Sequence, residues 1–111
     1  MPGRKTFSVY WTKTATLDLG FIVDYLSSDS IENATRILGK IEQMASRLSL
    51  FPFRGRIVPE LKENDVLTYH EIIYSQWRIV YRIEGPTVWV MAVIDGRRNL
   101  EDLLLERFLQ Y

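Results

Sequence analysis

The sequence predicts an α+β fold of order β-α-α-β-β-β-α, with a helical hairpin packed on one face of a small antiparallel sheet. Three observations point to it. Two consecutive stretches of helical periodicity occupy residues 12–51, three apolar runs of strand length separated by short turns occupy 69–95, and a last helical run covers 100–109.

The first element is a strand, because Phe7, Val9 and Trp11 alternate with Thr6, Ser8 and Tyr10. Thr12 then offers an N-cap, and Ala15, Leu19, Ile22 and Leu26 recur at helical spacing up to Ser27-Ser28. Asp29, with Glu32 three residues on, resembles a capping box for a second helix carrying Ala34, Ile37, Leu38, Ile41, Met44, Ala45 and Leu48. At 1.5 Å per residue this helix is roughly 27 Å long. Pro52 ends it, and the short connection makes the two helices antiparallel. Gly20 and Gly39 sit mid-helix, where each costs about 1 kcal/mol relative to alanine. A close helix crossing that demands small residues accounts for them, with a flexing point as the alternative. Residues 53–66 have the Gly, Pro and charge mixture of a loop.

Two tight turns set the register of the three strands. With Ser75-Gln76 as a turn, Tyr74 faces Trp77, Ile72 faces Ile79, His70 faces Tyr81 and Tyr69 faces Arg82. With Gly85-Pro86 as the next, Arg82 faces Trp89, Val80 faces Met91 and Arg78 faces Val93. One face then carries Ile72, Trp77, Ile79, Tyr81, Val88, Val90, Ala92 and Ile94, and is the face for the hairpin. The opposite, mixed face carries Glu71, Arg78, Val80, Arg82, Trp89, Val93 and Asp95, and stays open for binding or chemistry. His70 points into the apolar face as a neutral imidazole satisfied by a neighbour. Glu71 lies diagonal to Arg78 and Arg82, close enough for internal salt bridges, and Trp89 offers Arg82 a cation-π contact.

Composition bounds the function. A chain of 111 residues with 47% hydrophobic content buries roughly two thirds of its unfolded surface in one core, so residues 1–111 are expected to form one domain. There is no cysteine, which removes disulfides, thiolate metal sites and cysteine nucleophiles, and suits a reducing compartment. No run approaches a membrane span, and residues 1–6 do not open a signal peptide, so a cytoplasmic protein without membrane partners is expected. Fourteen basic residues balance fourteen acidic ones, an argument against generic nucleic-acid binding. Nothing calls for a metal or cofactor.

Taken together, Trp11-Thr12, Ala15, Asp18-Leu19, Ile22 and Tyr25, then Ala34, Ile37, Ile41 and Leu48, resemble the helical hairpin of the RelE/ParE toxin superfamily, on its ParE-like branch. Gly55-Arg56-Ile57-Val58-Pro59-Glu60-Leu61, Tyr69-His70-Glu71-Ile72-Ile73 and Trp77-Arg78-Ile79-Val80-Tyr81-Arg82-Ile83 are similar to its central segments, and Asp95-Gly96-Arg97-Arg98 to its closing signature. The resemblance covers nearly the whole chain. It implies the RelE/ParE-like toxin fold and the toxin of a type II toxin-antitoxin module of the plasmid-stabilisation kind. Such a toxin is neutralised by a cognate antitoxin, of ribbon-helix-helix type, and forms a homodimer or a hetero-oligomer with it.

Two activities follow from the resemblance. RelE-type members cut messenger RNA on the ribosome, which needs a base for the 2'-hydroxyl, cations for the developing phosphorane charge and an acid for the leaving oxygen. Only Arg78 and Arg98 match such a catalytic set. His70, Glu71 and Ile72 stand where lysines are expected, and the family's C-terminal tyrosine falls near Leu104. ParE-type members instead stop growth by inhibiting DNA gyrase, for which a binding surface suffices, with Arg78, Arg82, Trp89, Arg97 and Arg98 as target-binding candidates. Asp95 stands where the family often has histidine, and a third reading is a degenerate, non-toxic member. Leu17, Phe21 and Tyr25 form an extra apolar stripe on the first helix, and Leu105 and Leu109 lie off the core stripe of the last, so these five are the antitoxin-binding candidates. Packing of the first stripe against Trp11, Phe51 and Phe53 is the structural alternative.

Overall fold

The computed structural model of the chain describes residues 6–97 and 101–108. Strand β1 (Ser8–Trp11) leads into helices α1 (Lys13–Ser27) and α2 (Ile31–Ser46), the latter followed by a 3-10 turn at Arg47–Ser49. Then come β2 (Arg56–Ile57), the short helix α3 (Pro59–Lys62), β3 (Tyr69–Tyr74), β4 (Trp77–Glu84), β5 (Thr87–Asp95) and α4 (Glu101–Phe108). The strands form one sheet in the order β1-β5-β4-β3-β2. β1 runs parallel to β5 and the remaining neighbours are antiparallel. Among the described residues no helix is long and apolar enough to cross a membrane.

Local chemistry accounts for most boundaries. The Thr12 hydroxyl accepts from Ala15 N at 3.1 Å, capping α1, while the same hydroxyl donates to Val90 O at 3.1 Å and fastens the helix start to β5. The cap of α2 is Ser30 rather than Asp29: its hydroxyl accepts from Asn33 N at 3.1 Å and also reaches the Glu32 carboxylate. Residues 53–66 are more ordered than their composition suggested. Arg56 and Ile57 pair with Glu71 and His70, and Pro59 opens α3 at a position where its missing N–H costs nothing. The turn between β2 and the preceding loop is pinned by Tyr81, whose hydroxyl donates to Pro52 O at 2.7 Å and accepts from Gly55 N at 3.0 Å. A Cβ on Gly55 would stand 2.5 Å from that hydroxyl and from Glu71 O, so only glycine fits.

The hairpin register of β3 and β4 is the expected one, from Tyr69 opposite Arg82 to Tyr74 opposite Trp77. Between β4 and β5 it holds only as far as Tyr81 opposite Val90. Met91 is then an inserted residue, and Val80 faces Ala92, Ile79 faces Val93 and Arg78 faces Ile94, in place of the expected Val80–Met91 and Arg78–Val93 pairs. A one-residue slip exchanges faces. Val93 therefore joins Trp77, Ile79, Tyr81, Val88 and Val90 under the hairpin residues Ala15, Ile41 and Ala45. Ala92 and Ile94, expected there, instead pack with Val80 against Val58, Leu61 and Leu104 on the opposite side. That side, expected to be open, is covered by α3 and α4.

Neither mid-helix glycine is required by packing: a Cβ on Gly20 or Gly39 meets nothing within 4 Å. The close crossing expected from the sequence is absent at both. Gly20→Ala and Gly39→Ala should each stabilise the protein by about 0.5–1 kcal/mol through helix propensity alone, read as a rise in the denaturation midpoint at constant slope.

Candidate functional site

Two arrangements on the molecule concentrate chemistry. The first is an ionic cluster under α3. Neighbours along β3 point to opposite faces, so Glu71 turns toward α3 while His70 turns toward the hairpin. Glu71 is 1% exposed and accepts from Arg78 Nε at 2.6 Å through Oε1 and from Arg56 Nε at 2.7 Å through Oε2. Arg78, 8% exposed, also donates through Nη1 and Nη2 to the two oxygens of Glu60, each at 2.7 Å. This fork geometry is the strong form of an arginine–carboxylate pair. The hydrogen bond from Arg78 holds the Glu60 carboxyl below its ordinary range, and the same bond, with Glu71 behind it, raises Arg78 further above its already high value. Gly96 closes the other side, where a Cβ would come within 3.1 Å of Arg78 Cδ. Arg78, expected to lie on an open face, thus has Nε and both terminal nitrogens engaged by carboxylates of its own chain.

The remaining residues of the mixed face are dispersed. Arg82 pairs with Glu84, and the ring of Trp89 lies on Tyr10 with centroids 5.3 Å apart. His70 stacks on Tyr81 at 5.8 Å, on the sheet face away from Arg78, and its Nδ1 is buried without a hydrogen-bond partner. The expected satisfied imidazole is instead held by ring packing. Arg98 and Leu109 lie outside the described residues. Among the described residues no group of three or more potential metal ligands is present.

The second arrangement is a cavity of about 550 Å³ bounded by α1, the start of β4, the end of β5 and α4. Phe21, Tyr25, Trp77, Val93 and Leu103 supply its apolar surface, and Asp18, Asp95 and Arg107 its charge. Both carboxylates are paired. Asp18 accepts from Arg107 Nη1 and Nη2 at 2.9 and 3.0 Å and from Val93 N at 3.1 Å, tying α1 to α4 and β5. Asp95 accepts from Arg97 N, Nε and Nη2 at 3.0, 3.2 and 3.0 Å, which keeps its carboxyl below the usual range. The inserted Met91 brings Asp95 here: without it Asp95 would share a face with Arg78.

Phe21 and Tyr25 are each 69% exposed and Leu17 is 52% exposed. Their alternative packing partners do not cover them; Phe53 meets Phe7 instead, edge to face at 6.2 Å. Leu105, by contrast, is half-buried and packs with Leu104 and Phe108 against the sheet, so it belongs to the second core more than to an open surface. The site roles of Glu60, Asp18, Arg107 and Leu103 emerge only from the structure. Glu60 follows the helix-opening Pro59 and could have been placed on a helix, but Asp18 and Arg107 are 89 positions apart and carry no local signal.

Comparison with known proteins adds to this geometry. A family model described as the ParE toxin of the type II toxin-antitoxin system parDE matches residues 9–100. The chain is 30% identical over 77 residues to Toxin ParE3 of Caulobacter vibrioides, covering 69% of this chain and 73% of that protein. Its fold is similar to that of a chain in the chromosomal ParDE toxin-antitoxin system from P. aeruginosa, with a TM-score of 0.67 at 19% identity over 81% of this chain and 96% of the other. It is also similar to one in the toxin-antitoxin complex RelBE2 from Mycobacterium tuberculosis, with a TM-score of 0.63 at 23% identity over 84% and 94%.

The cluster has consequences for stability. Arg78→Ala leaves Glu60 unpaired and Glu71 buried with Arg56 alone, and should cost about 3–5 kcal/mol in a denaturant titration. Glu60 is depressed in the folded state, so its contribution is complete above its ordinary pKa of 4.5 and vanishes as pH falls through the lowered folded value. Wild type should therefore melt above Glu60→Gln at pH 7, and the gap should close as the scans move to pH values well below 4.5.

Proposed function

We propose a mode of action from the premise that this chain belongs to the ParE toxin family of type II toxin-antitoxin modules: it binds DNA gyrase, arrests growth in the cytoplasm, and is held inactive by a cognate antitoxin. The observation that carries this reading is the state of Arg78. A ribosome-dependent nuclease needs that arginine free to meet phosphorane charge, whereas here two carboxylates occupy it and would repel an incoming phosphate. His70, the one imidazole, sits on the other sheet face against Tyr81, away from any phosphate that Arg78 could reach. A binding protein has no such requirement.

The surface for the target is the end of β5, where Arg97 is held over Asp95 by a backbone and a side-chain clamp and remains exposed. Arg98 follows it in the chain. The antitoxin surface is the stripe Leu17, Phe21 and Tyr25 on α1, large apolar groups that their own chain leaves uncovered. An amphipathic helix ordering on this stripe buries it without requiring any change in the toxin. A ribbon-helix-helix antitoxin with a disordered tail is the partner this reading calls for.

A supercoiling assay with purified, antitoxin-free protein tests the target. Inhibited supercoiling or trapped cleaved DNA is the expected result. Unaffected gyrase together with cleavage of translated messages at the ribosomal A site would replace this reading by a nuclease one, and no growth arrest on expression would mark a non-toxic member.

A further inference from the structure

β5 runs out at Asp95-Gly96-Arg97, and the turn that ends it is tightly held. Gly96 N donates to Gln76 O at 2.6 Å, and a Cβ on Gly96 would stand 3.1 Å from both that oxygen and Arg78 Cδ. Arg97 is thereby brought back over the preceding carboxylate. Asp95 Oδ1 accepts from Arg97 N and Nε, while Oδ2 accepts from Nη2 and lies 3.5 Å from Gln76 Nε2. Among the described residues Nη1 has no hydrogen-bond partner, and the Arg97 side chain is 64% exposed.

This pairing changes what the arginine can hold. The Nε–Nη2 side, one of the forks that grips a phosphate or carboxylate through two bonds, is taken up by Asp95. An anion meeting the remaining edge about 4 Å from the guanidinium centre would lie about 8 Å from the Asp95 carboxylate, so roughly half of its attraction would be offset by repulsion. A backbone carbonyl carries no net charge for Asp95 to repel, and can accept from Nη1 without that loss. Arg107, the other described arginine at this end of the molecule, is neutralised in the same way by Asp18, and exposed Tyr25 stands close enough to act on the Arg97 charge. Paired arginine beside exposed tyrosine is the chemistry of a protein contact, whereas a phosphate track needs cations left unpaired.

We infer that Asp95 sets the specificity of Arg97: by neutralising and orienting the guanidinium, it fits this end of β5 to uncharged carbonyl acceptors on a protein partner and withholds it from the phosphates of DNA or RNA. Asp95 is thus a positioning residue that acts through Arg97. The inference rests on the reading of Arg97 as a target contact, and narrows it to the protein surface of gyrase rather than the DNA that gyrase holds.

The deciding measurement needs no gyrase. In fluorescence anisotropy with a labelled DNA duplex of about 20 base pairs in about 50 mM salt, Asp95→Asn should bind at least about 3-fold more tightly than wild type, with a logarithmic salt slope steeper by about 0.9 for one added phosphate contact. Asp95→Glu, which keeps the charge, and Glu63→Gln, which removes an exposed charge beyond α3, should both stay within about twofold of wild type. The gain should vanish when Arg97→Ala is added to Asp95→Asn, and circular dichroism should report one fold for every variant. No gain in Asp95→Asn, absence of duplex binding by both proteins included, overturns the inference. So does an equal gain in Asp95→Glu or Glu63→Gln, or a gain that survives the loss of Arg97. A supercoiling assay tests the underlying reading separately: half-inhibition should require about 5-fold more Arg97→Ala than wild-type protein. If the two inhibit alike, Arg97 is not a target contact and the reading beneath the inference falls, whatever the duplex series shows of Asp95.

Discussion

Because Met91 is inserted between Val90, opposite Tyr81, and Ala92, opposite Val80, every β5 side chain beyond it is carried to the other face of the sheet. Both cores depend on that displacement. Val93 fills the space beneath the hairpin, and Ala92 with Ile94 lines the space beneath α3 and α4, where Val58, Leu61 and Leu104 complete a second apolar cluster. A bulge also sharpens local twist, and here it lies in the strand that holds β1 on its other side. The same insertion separates Asp95 from Arg78. One carboxylate is thereby reserved for Arg97, and the arginine on β4 is left to Glu60 and Glu71.

The ionic cluster then acts as a polar keel for the small α3 face. Glu71 is an anion removed from water, and such a group is tolerated only when donors surround it. Arg56 comes from β2 and Arg78 from β4, so β2, β3 and β4 are cross-linked through one carboxylate, and Glu60 extends the network into α3. An arrangement of this kind favours a single register of β2, a strand of only two residues with little apolar burial of its own. It also engages Nε and both terminal nitrogens of Arg78 with carboxylates of its own chain.

At the other end of the sheet, α4 is held by a different device. Asp18 joins α1, α4 and the β5 backbone through three hydrogen bonds, while Leu104 anchors the helix apolarly. The cavity between α1 and α4 lies where these two helices, which pack on opposite faces of the sheet, are joined by this ion pair. Large exposed aromatics therefore border a groove whose lining carboxylates are already paired.

The sequence by itself determined what local chemistry can specify: the α1 boundaries through Thr12 and Ser27-Ser28, the antiparallel hairpin, the β3–β4 register through the Ser75-Gln76 turn, the β4–β5 pairing as far as Tyr81 opposite Val90, and the family through motifs in order. It also placed Leu17, Phe21 and Tyr25 outside the helix's core stripe, because helical periodicity is an angular rule that needs no tertiary partner. Tertiary structure alone decided the bulge at Met91, the pairing of Arg78 with Glu60, the packing of half-buried Leu105 against the second core and the Asp18–Arg107 tie. The physical reason is common to all four. Each depends on which of two faces or partners gains more burial once distant segments meet, and that comparison is not written in any window of the chain.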